Sequence, residues 1–447
     1  MSQKPLNIVI LGASFSGVTV ANNILNRVIE KLKSFEDAPT YQVILISPST
    51  HVYWNICAPR ALVSSNLITR DTSFIPIMPT FEEYPSEQFQ FIQGTATSVD
   101  TSAKEVHISL ITPVTTIHTS SAARSSHNVN ALSSFPSQRL KGVRKSTGSK
   151  GRNICKIPYN ALVYATGSST SSPLLSLHGP HEETISALNS FQAKLKDAGS
   201  ILIVGGGPSA RSPITITLLS GHDRLLPNLP AKISKKAEKK LRALGVNVLH
   251  NIRLLAAKTA PDGQKTHCHL NNAVTVTSDL HILATGAVPN TGYFRPAPRG
   301  PVPTTGDKNP VLDEKGYITT DTDLRIWGAG DRIFATGDCA AYSRGCLGDV
   351  YDAVPVLVTN LTNDLVAYIN RLRYQESSLA LQRELNALVD ARFSPNLRGS
   401  WLVPVTRFGG VGMVSGWRVP GWVVYLGKGR GWRLGRARET VGRGVHP

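Results

Sequence analysis

The chain is poor in cysteine. Its five thiols (Cys57, Cys155, Cys268, Cys339 and Cys346) are scattered, odd in number and never paired as CxxC. That spacing excludes a disulfide framework, a cysteine zinc site and a vicinal redox dithiol, and reads as separate reduced thiols. No run of 18 or more apolar residues occurs, so no spanning helix is expected. Residues Met1 to Pro5 lead straight into an apolar stretch without the tripartite pattern of a signal peptide. Ser2 stands where N-myristoylation needs Gly. These absences make a cytoplasmic protein the expectation. Acid is also scarce: 30 Asp and Glu face 48 Lys and Arg, a net charge of +18. The excess favours anionic partners such as nucleotides, nucleic acid or acidic membrane. No aromatic interleaving or recognition motif accompanies it, so no specific nucleic-acid binding is expected.

A length of 447 residues with 41% hydrophobic content is enough for two or three domains. Leu6 to Leu11 is a continuous apolar run ending at glycine, the pattern of a buried parallel strand. Phe15 to Leu32 carries helical apolar spacing, and Tyr41 to Ile46 is a second apolar strand, completing a βαβ unit. A like start recurs at Ile201 to Gly205. Two such starts predict an α/β protein with two Rossmann-like dinucleotide-binding domains. Thr112 to Lys150, rich in Ser, Thr, Asn and basic residues, reads as a disordered insertion. Helices are expected over Leu357–Leu372 and Ser378–Val389, and a β-rich piece over Trp401–Leu426.

The first glycine turn is Gly12-Ala13-Ser14-Phe15-Ser16-Gly17. A dinucleotide turn needs a tight bend, a close backbone approach to pyrophosphate and helix–strand packing at its three small positions; here Ser14 takes the second. The following helix start offers N–H groups to phosphate. After the second strand no acid is present. Ser47 either hydrogen-bonds a ribose hydroxyl or merely opens the turn with Pro48. Two strands end in Ala-Thr-Gly, at Ala165-Thr166-Gly167 and Ala284-Thr285-Gly286, where small residues let backbone lie against a cofactor. Ile333-Phe334-Ala335-Thr336-Gly337-Asp338 is the setting in which a carboxylate reaches the ribityl hydroxyls of a flavin. The competing reading of Asp338 is a helix N-cap.

Together these segments resemble the apoptosis-inducing-factor-like family of FAD/NAD(P)H oxidoreductases, and most of all its mitochondrion-associated fungal and animal members that include the ferroptosis-suppressor type. The likeness spans HVYWNICAPRALV (51–63), FIQGTATSVD (91–100), ILIVGGGPSA (201–210), ILATGAVPN (282–290), IFATGDCA (333–340) and RFGGVGMVSGWRVPGWVVYLGKGR (407–430). It implies an FAD domain in two segments (1–195 and 286–372), an inserted NAD(P)H domain (196–285) and a small α+β C-terminal region (373–447). It implies FAD as cofactor and NADH or NADPH as donor, with a quinone-like or other small molecule accepting the electrons. The flavin carries the chemistry, so no catalytic side chain and no metal are expected. By the resemblance Asn55 and Arg60 lie beside the cofactor, Thr97 near its adenine side, and Asp338 on the ribityl chain. Gly205, Gly207 and Gly286 belong to the nicotinamide side. Between Gly205-Gly206-Gly207 and the strand expected at Ile214–Leu219 there is no length for the helix the resemblance calls for. This opens a second reading, a flavin-binding protein with a crippled nicotinamide site that serves as a structural or interaction module.

The C-terminal stretch Gly421 to Leu426 is apolar and aromatic, and Lys428, Arg430, Arg433, Arg436 and Arg438 follow it. That composition fits a peripheral contact with a membrane, the mitochondrial outer surface included. The preferred alternative packs Trp417, Trp422 and Tyr425 inward and leaves a mobile basic tail in water.

Overall fold

A computed structural model describes residues 4–111, 144–145, 154–205, 214–261, 263, 265–294, 311–395 and 400–443. The insertion expected at 112–150 lies outside these residues, except for Arg144–Lys145.

Among the described residues the first sheet has eight strands. From edge to edge they are Ile333–Ala335, Ala161–Tyr164, Leu6–Leu11, Tyr41–Ser47, Phe89–Asp100, Glu105–Leu110, Ile154–Pro158 and Arg144–Lys145. The first five are parallel and the last three extend the sheet antiparallel. The central strands are continuous apolar runs because both faces are covered. On one face Ile8, Ile10, Val43 and Leu45 meet Val18, Leu25 and Leu32 of the helical stretch from Phe15 to Lys33. Helix Leu347–Arg373 packs on the same side through Val354, Leu357 and Leu361. On the other face Val9, Leu11, Ile44 and Ile46 meet Ile108, Ile157 and Ile318.

The second sheet repeats this plan. Its four parallel strands run Asn247–His250, Thr215–Ser220, Ser200–Val204, Leu280–Leu283. The opening strand again sits between the second and the one that ends in Ala-Thr-Gly. An antiparallel three-stranded sheet, Leu254–Thr259, Thr266–Leu270 and Thr275–Ser278, follows. The two folds differ at one connection. In the first, residues 12–40 join two parallel strands and contain the helix. In the second, residues 205–214 alone join Val204 to Thr215, yet the pairing Ser200↔Thr215 is parallel. Gly207 and the rest of 206–213 lie outside the described residues.

The chain crosses between the folds twice, and the two crossings pair as an antiparallel ribbon of Ser168–Thr170 with Ala287–Pro289. Thr166 and Asn290 lock it: the Thr166 hydroxyl donates to the Asn290 carbonyl at 2.8 Å, and the Asn290 side-chain amide donates to the Thr166 carbonyl at 2.9 Å.

The C-terminal expectations need correction. The β-rich piece ends at Arg418, with strands Trp401–Thr406, Gly409–Val414 and Trp417–Arg418. From Gly421 the chain is helical through Gly429, and helical again over Leu434–Arg436 and Ala437–Arg443. It is no free tail: Trp432, Ala437 and Val441 are buried in the first core cluster, and the Trp54 indole N–H donates to the Trp432 carbonyl at 2.9 Å. Conversely Trp417 and Trp422, expected inside, are exposed. The helix expected at Leu357–Leu372 begins ten residues earlier, because Pro355 breaks the sequence pattern but is accommodated inside the helix.

Candidate active site

The two folds build the same corner. Gly12 follows the first strand with φ +101°, and a Cβ there would stand 2.2 Å from the Ala165 carbonyl oxygen. Gly205 follows the corresponding strand with φ +113°, and its Cβ would stand 2.0 Å from the Ala284 carbonyl oxygen. In each case a side chain is excluded by both backbone conformation and a neighbouring Ala-Thr-Gly turn. The two glycine turns and the two Ala-Thr-Gly turns thus form matched pairs, each leaving bare backbone at the carboxyl ends of a parallel sheet, where α/β folds bind ligands.

Both corners open on one cavity of about 1490 Å³. This exceeds the roughly 300–1,000 Å³ typical of a single small-molecule pocket. Gly12, Ala13, Ser14, Ser47, Asn55, Ala165, Thr166, Gly167, Gly205, Gly286, Gly337 and Asp338 all line it. Gly17 sits one layer behind, where a Cβ would meet the Gly12 carbonyl at 1.8 Å; it lets the helix close on the turn. The Ser47 hydroxyl accepts the Ser49 N–H at 3.2 Å, which is its turn-forming role, while it also lines the cavity.

Two expected residues are elsewhere. The Arg60 guanidinium donates to the carbonyls of Gly429 (2.9 Å) and Arg430 (3.2 Å) and lies over the Trp432 ring. It anchors the C-terminal segment and does not reach the cavity. Thr97 is exposed on the strand Phe89–Asp100, beside an irregularity in the pairing, and its hydroxyl donates to the His107 carbonyl. Sequence spacing could not reveal either outcome, because both depend on partners far along the chain or on local register.

Asp338 leaves the strand Ile333–Ala335 and lies against the cavity, its carboxylate accepting the Ser343 hydroxyl at 2.9 Å. Burial holds its pKa above the usual carboxylate value. Arg344, Cys346, Leu347 and Gly348 line the wall beside it, so the start of the long helix Leu347–Arg373 faces the cavity. Asp349, fully buried, pairs with Arg344 and accepts its backbone N–H, which fixes this turn.

Lys428 and Arg433 also line the cavity and were not singled out as site residues. Burial, with the Arg433 charge nearby, lowers the Lys428 pKa. Positive charge from the C-terminal segment therefore faces the space between the folds and suits an anionic ligand. The only hint in the sequence was the basic composition of that segment. His51 also lines the cavity, its ring tilted against that of His181 with centroids 3.8 Å apart. Burial and His181 push its pKa down to about 4.

The bare glycine corners, the helix starts and the inward cations fit a dinucleotide such as FAD in the first fold. Among the described residues no group of three His, Cys, Asp or Glu is placed to hold a metal.

Comparison with known proteins agrees with this geometry. Residues 6–360 match the family described as pyridine nucleotide-disulphide oxidoreductase. The chain is 30% identical over 460 residues to oxidoreductase phnG of Penicillium herquei, covering 96% of this chain and 94% of that protein. Oxidoreductase ptaL of Pestalotiopsis fici is 28% identical over 344 residues, 74% of this chain and 76% of its own. Among solved structures, NDH2 from Plasmodium falciparum in complex with NADH superposes with a TM-score of 0.58 at 14% identity, covering 99% of this chain and 96% of that one. The NAD-dependent persulfide reductase from A. fulgidus gives 0.56 at 16% identity, covering 90% of this chain and 62% of that one. These two likenesses concern the fold.

Proposed function

Because the chain belongs to the pyridine nucleotide-disulphide oxidoreductase family, we propose that it is an FAD-dependent oxidoreductase passing electrons from NADH or NADPH to a quinone-like or other small acceptor, in the manner of the apoptosis-inducing-factor-like members. The observation that carries this reading is the pair of matched glycine corners, Gly12 with Ala165 and Gly205 with Ala284, opening on one cavity. FAD, when bound, supplies the electron-accepting ring system, and the protein supplies position and charge. Gly12, Ala13 and Ser14 present backbone to the pyrophosphate at the start of the helix Phe15–Asn23. Asp338 accepts from ribityl hydroxyls. Lys428 and Arg433, which line the cavity, offset negative charge. The nicotinamide nucleotide enters from the Gly205 and Gly286 side. The nicotinamide donor is supported by one structural neighbour, NDH2, which stands in complex with NADH.

One observation favours a second reading. Only residues 205–214 link Val204 to Thr215, a length shorter than a helix-bearing crossover needs, which leaves little room for a helix start to meet the nicotinamide pyrophosphate. The protein would then hold flavin without accepting hydride. Anaerobic titration of the purified yellow protein with NADH and with NADPH separates the two. Loss of the visible flavin band is expected from the first reading. A band unchanged by either nucleotide would assign the protein to the second, and a colourless protein that takes up no FAD would exclude both.

A further inference from the structure

From the C-terminal unit we infer that this protein docks peripherally on an anionic lipid surface, through a face built by the turn at 407–408 and the helix that begins at Gly421. The inference stands apart from the electron-transfer reading and does not depend on it.

Four large apolar side chains lie bare in this unit: Phe408 is 66% exposed, Trp417 80%, Trp422 63% and Leu426 57%. A folded chain exposes scattered apolar groups routinely, but clustering is uncommon. Phe408, Trp422 and Leu426 group at one end of the strand Gly409–Val414, because Gly421 packs on Gly409 and Gly410 there; Trp417 stands at the other end. Val414 and Trp417 are register partners at the hairpin end, where Ser415 and Gly416 both take positive φ. Trp422 and Leu426 are four apart in the helical stretch that starts at Gly421, so they share one face. Tyr425 in that stretch meets Phe408 with ring centroids 5.7 Å apart, joining the helix to the hairpin.

The same unit is cationic without exception. From Trp401 to Arg438 the sequence contains no Asp or Glu. Arg407, Arg418 and Arg430 are exposed, and among the described residues no carboxylate pairs with them. Charge complementarity therefore selects an acidic occupant. Two copies meeting through this face would bring like charges together. A nucleic acid offers nothing to Leu426. A bilayer with anionic headgroups satisfies both halves, with indoles at the headgroup level and guanidinium groups on phosphate. Among the described residues no helix is long and apolar enough to cross a membrane, so the contact is a surface one. Trp401, Leu402, Val403 and Lys428 of the same unit line the cavity, which places the lipid face and the cavity wall on one small piece of structure.

Flotation of the full-length flavin-loaded protein tests this, using phosphatidylcholine vesicles with and without phosphatidylserine. The expected result is flotation with the anionic vesicles only, lost at high salt, with a blue shift of tryptophan emission. The double substitution Trp422→Ser/Leu426→Ser, at bare positions of one helix face, should keep flavin content and thermal midpoint while reducing the bound fraction by about tenfold or more. Flotation equal in wild type and double variant, or no flotation of either at low salt, would overturn the inference. A dimer by light scattering that the double substitution dissolves would reassign the face to self-association. Retention on polyglutamate without flotation would reassign it to an acidic protein.

Discussion

At the scale of single residues, two carboxylate and imidazole environments govern what the cavity can do. Asp338 is held against the cavity by Ser343 and by burial that raises its pKa. A hydrogen bond to a charged group is worth about 1.5–3 kcal/mol, so Asp338→Ala should weaken flavin retention by about tenfold to a hundredfold. Gel filtration followed by an absorbance ratio reads this directly, and unchanged stoichiometry and affinity would leave Asp338 as a cap alone. His51 bears on pH dependence. In the folded protein its pKa is about 4, whereas an unfolded chain binds the proton near 6.5. Between those values the unfolded state carries more protons, so acidification favours unfolding. The contribution is complete above about pH 6.5 and is gone below about pH 4. His181 shifts the same way, with Glu182 opposing it, and Thr50 bonds the His51 ring without charge. Thermal midpoints should therefore fall between pH 6.5 and 4, and His51→Asn should flatten part of that fall. An equal slope in the variant would place the sensitivity elsewhere.

At the scale of elements, much of the frame was legible in the sequence. The strands Leu6–Leu11 and Tyr41–Ser47 are apolar on both faces, and that pattern survives into the fold unchanged. The Ala-Thr-Gly turns could be read because bare backbone needs small residues in order. Arg60 could not be placed, since the carbonyls it binds belong to residues some 370 positions away. Helix 181–195 also went unread. Its apolar residues are few, and its packing on the second fold rests on Leu188 and Phe191. The segment after Leu110 supports a prediction. Ser109 and Ile154 are register partners in adjacent antiparallel strands, so the ends of the intervening stretch already stand opposite each other. Replacing 112–151 with a tight Asn-Gly turn should keep the hairpin register and the flavin content. Aggregation or cofactor loss in that variant would show that the stretch contributes to the fold.

At the scale of the whole molecule, the C-terminal segment acts as a staple. It closes the first core through Trp432, adds cations to the cavity and carries the exposed aromatic face. Trp432→Ala would open a gap beside Trp54 and remove the ring under Arg60. Such large-to-small changes cost about 3–5 kcal/mol. The expected outcome is a clearly lower denaturation midpoint with parallel loss of flavin, measured by fluorescence of the released cofactor. A midpoint within about 1 kcal/mol of wild type would mean that the segment rests on the core without closing it.

The contact between Trp54 and Trp432 spans 378 positions. A ribosome adding about 5–20 residues per second needs about 20–75 s to traverse that interval. Throughout it, Phe15 already packs on the Trp54 ring, but the indole N–H lacks its carbonyl partner and the wall around it lacks the C-terminal cover. A nascent first fold is thus left with an apolar cleft for most of its synthesis, and its native closure is among the last long-range contacts to form. Production at low temperature or with chaperone support should then raise the soluble yield more than any change to the surface of the finished protein.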